Sequence, residues 1–304
     1  MSKSFDDLLK KLEVCKKKVI AVAAAQDEAV LEAVAGAKRQ GIADAILFGS
    51  RKEIEQAALH VDIDLNDFEI RDIEDKVEAA YAAVKAVHDK EADMYMKGII
   101  ETKQVLKCVL DKEVGLRTGK LLSHVGVFEV EGMGRLLFVT DAAFNMYPTL
   151  EEKKDILENA VTVAKACGVE LPKVAPLAAV EVINPKMPAT LDAAELTKMN
   201  ESGEIKDCIV DGPLAFDLAI SREAAEHKGT LNRKITGDAD ILLVPTIEVG
   251  NVLYKCLGHV ATSKSGALLV GTSAPVVLTS RSDSFETKLN SIALAAIVAQ
   301  ELQK

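Results

Sequence analysis

The sequence predicts an α/β protein built as two lobes, and three observations lead there. Short apolar runs rich in alanine and β-branched residues alternate with amphipathic stretches of helical length. The chain has 304 residues, more than one hydrophobic core comfortably serves. Apolar residues make up 49% of it but aromatic residues only 4%, with no Trp, so Ala, Val, Ile and Leu must fill the interior. That is the usual composition of a helix-covered parallel sheet.

The elements follow from local pattern. An amphipathic opening helix precedes Lys18–Ala25, a charge-bounded run that reads as a buried strand. Helical periodicity over 27–40 stops at Gly41, a suitable C-terminal cap. Ala45–Gly49 reads as a second strand, with Ser50 placed to cap the next helix. A helix over 74–89 leads to a strand ending at Met96-Lys97-Gly98, then to an amphipathic helix over 101–112. Leu121–Val130 and Gly134–Thr140 are separated only by Glu131-Gly132-Met133, which predicts a hairpin and therefore antiparallel strands in an otherwise parallel protein. The hairpin reads as the crossover between lobes, 1–128 with 270–304 forming the first and 129–269 the second. The second lobe is expected to hold helices over 149–167, 189–202 and 214–227 and strands over 173–178 and 240–244. Gly266–Gly271, Pro275–Leu278 and a last helix over 284–302 lead back to the first lobe.

Several function classes are excluded early. A net charge of −10 opposes nucleic-acid binding, which needs a concentrated basic face. The N-terminus MSKSFDDLLKKLEVCKKK mixes both charge signs and lacks the apolar core of a signal peptide. No apolar run approaches the ~20 residues that span a bilayer, so a cytoplasmic protein without membrane contact is expected. Cys15, Cys108, Cys167, Cys208 and Cys256 contain no C-x-x-C pair and read as buried, reduced, structural thiols. The five histidines lack the i,i+4 spacing of a zinc site. Gly115–Leu121 imitates a Walker loop but is one residue short and lacks the magnesium-binding Ser or Thr. Gly271–Pro275 lacks the second glycine of a nucleophile elbow, and no G-x-G-x-x-G follows a strand.

What remains is a set of polar clusters at the C-terminal ends of predicted strands, the edge where open α/β sheets bind ligands. They are MKG at 96–98, TDAAFNMYP at 140–148, VDGPLAFDLAIS at 210–221, PTIEVGNVLYK at 245–255 and LTSRSDS at 278–284. Taken together, in this order and over nearly the whole chain, they resemble the phosphate acetyl/butyryltransferase family, the butyryl branch more than the acetyl branch. The resemblance implies two α/β lobes of the isocitrate/isopropylmalate dehydrogenase architecture with an active site in the cleft between them. It implies exchange of phosphate and coenzyme A on a short acyl group, butanoyl-CoA and phosphate giving butanoyl phosphate and CoA. Transfer would be direct, in a ternary complex, with no metal, no covalent acyl-enzyme and no tightly bound cofactor. Ser280-Arg281 matches the Ser-Arg pair that carries catalysis in the acetyl branch. The family's proposed base for the thiol falls here on Thr287, leaving Asp283 and Glu286 as the nearest carboxylates.

The chemistry needs an anion site, a donor for the developing oxyanion and an acceptor for the thiol proton. Arg281 suits the first, because its planar fork grips phosphate through two hydrogen bonds. Ser280 suits the second, although read singly the pair is equally a helix cap and a surface ion pair. Lys97, Gly98 and Thr102 have the pattern of an anion-accepting helix start, and Arg117 is a further candidate for a CoA phosphate. Asp211, Gly212, Pro213 and Asp217 fall on the family's cleft-lining segment. Gly250, Asn251 and Lys255 place an amide, backbone N–H groups and an ammonium within one turn. Asp141 and Asn145 read as shaping the hairpin exit. Alternatives are a phosphate acetyltransferase or another short- or branched-chain phosphotransacylase, a metal- and NAD-dependent hydroxyacid dehydrogenase on the same fold, and a non-catalytic CoA-binding protein. Expected partners are acyl-CoA, CoA, phosphate, acyl phosphate and a second copy of the chain, in a homodimer or larger homo-oligomer.

Overall fold

The computed structural model describes residues 2–279 and 283–303. In chain order the elements are α1 (Phe5–Glu13), β1 (Lys18–Ala23), α2 (Glu28–Arg39), β2 (Ala43–Gly49), α3 (Arg51–Ala58), β3 (Glu69–Asp72), α4 (Lys76–His88), β4 (Met94–Lys97), α5 (Thr102–Val109), β5 (Ser123–Val130), β6 (Leu136–Thr140) and α6 (Leu150–Ala166). They continue with β7 (Lys173–Pro176), α7 (Pro188–Glu201), β8 (Ile209–Val210), α8 (Phe216–Ile220), α9 (Arg222–His227), β9 (Ile241–Leu243), α10 (Ile247–His259), β10 (Ser263–Val270), β11 (Val276–Val277) and α11 (Phe285–Leu302). The chain divides into two compact units. Phe5–Lys120 with the chain from Ser265 onward forms a split unit, and Leu121–Lys264 forms an inserted unit.

In the split unit the strand order is β3-β2-β1-β4-β11-β10. All its pairings are parallel except β10 with β11. The chain steps outward from β1 to β2 to β3 and then returns to the other side of β1 as β4, so the strand order reverses between β1 and β4. Such a switch point is where open α/β sheets take ligands. Asp27 caps α2 by accepting from Val30 N–H at 3.0 Å, and Asp75 caps α4 by accepting from Val77 and Glu78 N–H. From Lys288 to Ala299 α11 is buried on every side, and it packs on α2 and α1. The approach to α2 is set by Gly36, where a Cβ would lie 2.8 Å from the Phe285 ring.

The inserted unit orders its strands β5-β6-β9-β7-β8. The expected hairpin is present, with β5 and β6 antiparallel in register from Val125↔Thr140 to Glu129↔Leu136. The remaining pairs are parallel. Helix α6 opens with a capping box, Thr149 accepting from Glu152 N–H while the Glu152 carboxylate accepts from Thr149 N–H. Phe128, Leu137, Val139, Leu177, Leu214, Leu242 and Val244 form the centre of the core. The Tyr254 ring crosses Phe128 edge-on at 5.1 Å, and Gly126 leaves room for it, since a Cβ there would meet that ring at 2.6 Å.

Four expectations need correction. Residues 214–227 form two helices rather than one, because Ser221 is extended and its hydroxyl accepts from Ala224 N–H to start the second. The edge strands β3 and β8 went unforeseen, the first because EIRD shows no apolar alternation and the second because it is two residues long. Ser50 stands at the N-cap of α3 without a side-chain cap hydrogen bond; Asp72 accepts from Arg51 N–H instead. Cys256 is exposed and Cys15 half-buried, while burial pushes the Cys208 thiol up to about 12. Among the described residues no helix is long and apolar enough to cross a membrane, and no cluster of three or more His, Cys, Asp or Glu could hold a metal.

One buried carboxylate yields a pH test. Asp240 accepts from Lys173 N–H at 2.8 Å, and burial raises its pKa above the ordinary Asp value. A raised pKa means that its contribution to stability is full below the unfolded-state value and is lost as pH climbs through the folded-state value. Asp240→Asn is neutral throughout. It is therefore expected to melt above the parent at pH 7 and to lose that advantage near about pH 3, where the parent is also protonated; equal melting temperatures at pH 7 would overturn the assignment.

Candidate functional site

In the split unit, candidate residues gather where β1, β4 and β11 end together. The register places Ala23 beside Lys97 and Met96 beside Val277. Gly98 N–H donates to Ala23 O at 2.8 Å and Ile99 N–H to Ala24 O at 2.9 Å. A Cβ at Gly98 would lie 2.2 Å from Ala24 O and 2.6 Å from Ala23 O, so only glycine fits. Lys97 is 8% exposed, and its ammonium donates to the Gly98 carbonyl at 3.3 Å. Thr102 begins α5 behind Glu101, whose side chain makes no cap hydrogen bond. Arg117 is exposed on a loop tied to the segment after β10. It bridges Thr272, and the Thr118 hydroxyl donates to Gly271 O at 2.6 Å.

Ser280 and Arg281 lie outside the described residues, but their flanks are defined. Thr279 is buried, two residues past the end of β11. Beyond the segment, Ser284 caps α11 by accepting from Thr287 N–H at 3.1 Å. The Asp283 carbonyl accepts from the Lys288 ammonium at 2.5 Å. Glu286 is exposed in the first turn. Lys288 escaped the sequence reading because a lysine between Thr287 and Leu289 carries no signal of burial.

In the inserted unit Asp141 organises the exit from the hairpin. Its carboxylate accepts from the N–H groups of His124, Ala143, Phe144 and Asn145 at 2.9–3.3 Å, and from the Asn145 amide at 2.6 Å. Helix α10 packs on this loop through Gly250, where a Cβ would lie 2.5 Å from Asp141 O, and Asn251 Nδ2 donates to Ala142 O at 3.3 Å. The helix starts at Ile247, so Gly250 N–H is spent on Thr246 O at 3.1 Å; Lys255 is exposed one turn beyond Asn251. Elsewhere in the unit Asp211 is buried against Arg233, which donates to it from Nε and from Nη2 at 2.7 Å, and Ile235 N–H adds a bond at 3.0 Å. Gly212 N–H donates to Thr197 Oγ1 at 2.9 Å, and Pro213 is buried beside it. Asp217 pairs with Lys228 at 3.1 Å, which holds its carboxyl below the usual range. The split unit thus brings Lys97 and Gly98 together at one strand edge, while in the inserted unit Gly250 and Asn251 join Asp141, and Asp211 and Asp217 are held by cations of their own.

The close approach at Gly250 is testable. Gly250→Ala should cost roughly 1–3 kcal/mol by overpacking against the Asp141 carbonyl, seen as a lower melting temperature, whereas an unchanged melt would show that the loop yields freely.

The family model described as phosphate acetyl/butaryl transferase matches residues 4–82 and 74–296. The phosphate butyryltransferase of Clostridium acetobutylicum is 60% identical over 98% of this chain and 99% of its own. The phosphate acetyltransferase of Thermotoga maritima is 46% identical over 93% and 96%. Among solved structures, a branched-chain phosphotransacylase from Enterococcus faecalis superposes with a TM-score of 0.82 at 37% identity, covering 93% of this chain and 99% of that one. With the family model matching from residue 4 to residue 296 and a relative 60% identical over 98% of the chain, the chain belongs to the phosphate acetyl/butyryl transferase family.

Proposed function

We propose that the chain transfers a butyryl group between coenzyme A and phosphate. The observation that carries this reading is the 60% identity to a phosphate butyryltransferase over essentially the full length of both chains; Ser280-Arg281 is assigned to catalysis through its resemblance to the family's Ser-Arg pair. In the direction of thioester synthesis the CoA sulfur attacks the acyl carbonyl carbon, the carbonyl oxygen becomes an oxyanion, and the carbon–oxygen bond to the phosphoryl group breaks to release phosphate. The thiol proton passes to a base. Arg281 grips the phosphoryl oxygens and Ser280 donates to the oxyanion. Asp283 and Glu286 are the carboxylates nearest in sequence for the proton. Lys97, Gly98, Thr102 and Arg117 are assigned to the anionic groups of CoA. In the inserted unit Gly212, Pro213, Gly250, Asn251 and Lys255 are assigned to CoA contact, with Asp211 and Asp217 shaping that surface through their ion pairs. Each role falls to a side chain or backbone N–H, so no metal and no tightly bound cofactor is invoked. The working form is assigned as at least a homodimer in the cytoplasm.

Free thiol released from butyryl-CoA is expected to depend on phosphate and to survive a metal chelator; reversible loss on chelation would favour the dehydrogenase alternative. Comparing acetyl-, propionyl-, butyryl- and branched acyl-CoA tests the acyl preference. Ser280→Ala should lower kcat roughly 100-fold or more while barely changing KM for phosphate, as for loss of one oxyanion donor. Arg281→Ala should damage both, and Arg281→Lys should recover part, because an ammonium cannot reproduce a bidentate grip. Near-normal turnover in both folded alanine variants would sink the assignment.

A further inference from the structure

Helix α10 carries an apolar face on each side, and only one of them meets the core. Toward the inserted unit it turns Gly250, Leu253, Tyr254 and Leu257, the face that packs on β5 and β6. On the opposite side Val249, Val252 and Cys256 follow at i, i+3 and i+7, the spacing of a continuous stripe. All three are exposed, Val252 at 70%. Val260, just past the helix, extends the stripe and is 80% exposed. Near the other end, Met146 and Tyr147 are exposed as well. The Met146 carbonyl accepts from Ile247 N–H at 3.0 Å and the Tyr147 hydroxyl donates to the Glu248 carboxylate, so both residues are fastened to the first turn of α10. Single surface hydrophobes need no explanation, but a contiguous stripe marks a contact surface. Val182, Ile183 and Met187 are also exposed, yet they lie on an irregular segment after β7 where no helical spacing aligns them.

The charges beside the stripe say what covers it. Along one flank Glu248 precedes Val252, while Lys255 and His259 follow it, and all three are exposed. At the helical rise per residue, Glu248 lies about 6 Å before Val252 along the axis and Lys255 about 4.5 Å after it. At about 100° per residue the two stand within about 20° of one another around the helix. A second copy of α10, laid antiparallel across a two-fold axis at Val252, sets like flank against like flank and reverses the order along it. Glu248 of each helix then meets Lys255 of the partner subunit. On the other flank Val249 meets Cys256 of the partner subunit, and the two Val252 side chains touch on the axis. A self-matching surface of this kind is what an isologous two-fold contact requires, and an apolar centre bordered by opposite charges is the usual anatomy of an interface. A partner of a single charge sign would satisfy Glu248 or Lys255 but not both.

We propose that the outer face of α10, centred on Val252, is the two-fold contact through which two copies of this chain pair. The inference rests on assigning the working form as a homodimer. The stripe is the middle of the contact, and Met146, Tyr147 and Val260 widen it toward the ~800 Å² per partner of a stable interface.

Sedimentation of the full chain over a range of concentrations tests this. Lys255 is also assigned to CoA contact, so the primary readout is mass rather than turnover. The parent is expected at no less than twice its 32.6 kDa. Val252→Glu brings two carboxylates together on the axis and should raise the dimer dissociation constant by about 100-fold or more. Glu248→Lys and Lys255→Glu should each raise it by about tenfold. The double variant carrying both restores opposite charges across the axis and should return to within about threefold of the parent. Since these side chains are exposed on the single chain, every variant should keep the parent's circular dichroism. Val182→Glu, equally exposed but away from α10, should remain dimeric. If the parent is dimeric and all the α10 variants are too, the inference is overturned while the homodimer assignment stands. A double variant no better than the single ones overturns the antiparallel pairing, and so does a Lys255→Glu chain that raises KM for CoA at unchanged mass. A monomeric parent overturns the inference and the homodimer assignment together, because the stripe then belongs to a different partner.

Discussion

The backbone of β1 passes so close to the end of β4 that no side chain fits between them. Gly98 sits against the carbonyls of Ala23 and Ala24 and donates its N–H to the first of them. This contact holds the ends of two strands level at the point where strand order reverses, and β11 joins the same edge through its register with β4. A chain turning out of a sheet leaves N–H groups and side chains directed at whatever lies beyond the edge, so fixing this turn fixes where Lys97 and α5 begin. The same edge receives the connection that follows β11, described as far as Thr279. Glycine here is a steric requirement of the sheet before it is part of any site.

The inserted unit handles two buried carboxylates in parallel ways. Asp141 is 3% exposed and is neutralised by backbone N–H groups together with the Asn145 amide. Asp211 is neutralised by the Arg233 fork. Each turns a polar residue into a tether for an irregular segment, the hairpin exit in one case and the chain around Arg233 in the other. Since removing one partner of such a set leaves the other buried and unpaired, these segments are held more firmly than their lack of regular structure suggests.

Much of this was legible in the sequence. Strand and helix periodicity, the three-residue separation inside the hairpin, and the ordered clusters from MKG to LTSRSDS determined the α/β class, most elements and the family. They could do so because burial on a sheet or helix face imposes a repeat of residue types, and because a chemical site imposes residues in a set order. Short-range pattern could not reveal β3 and β8, since an edge strand of charged residues or of two residues is defined by its neighbour rather than by its own composition. Nor could it reveal that Ser221 divides one apparent helix into two. Only the tertiary structure decided that Asp211 belongs to Arg233 and that Gly250 and Asn251 seat α10 on the Asp141–Ala142 backbone. Those facts depend on which segments meet across long sequence separations, 22 residues for Asp211 and Arg233 and 109 for Asn251 and Ala142. Local residue preference carries no record of such meetings.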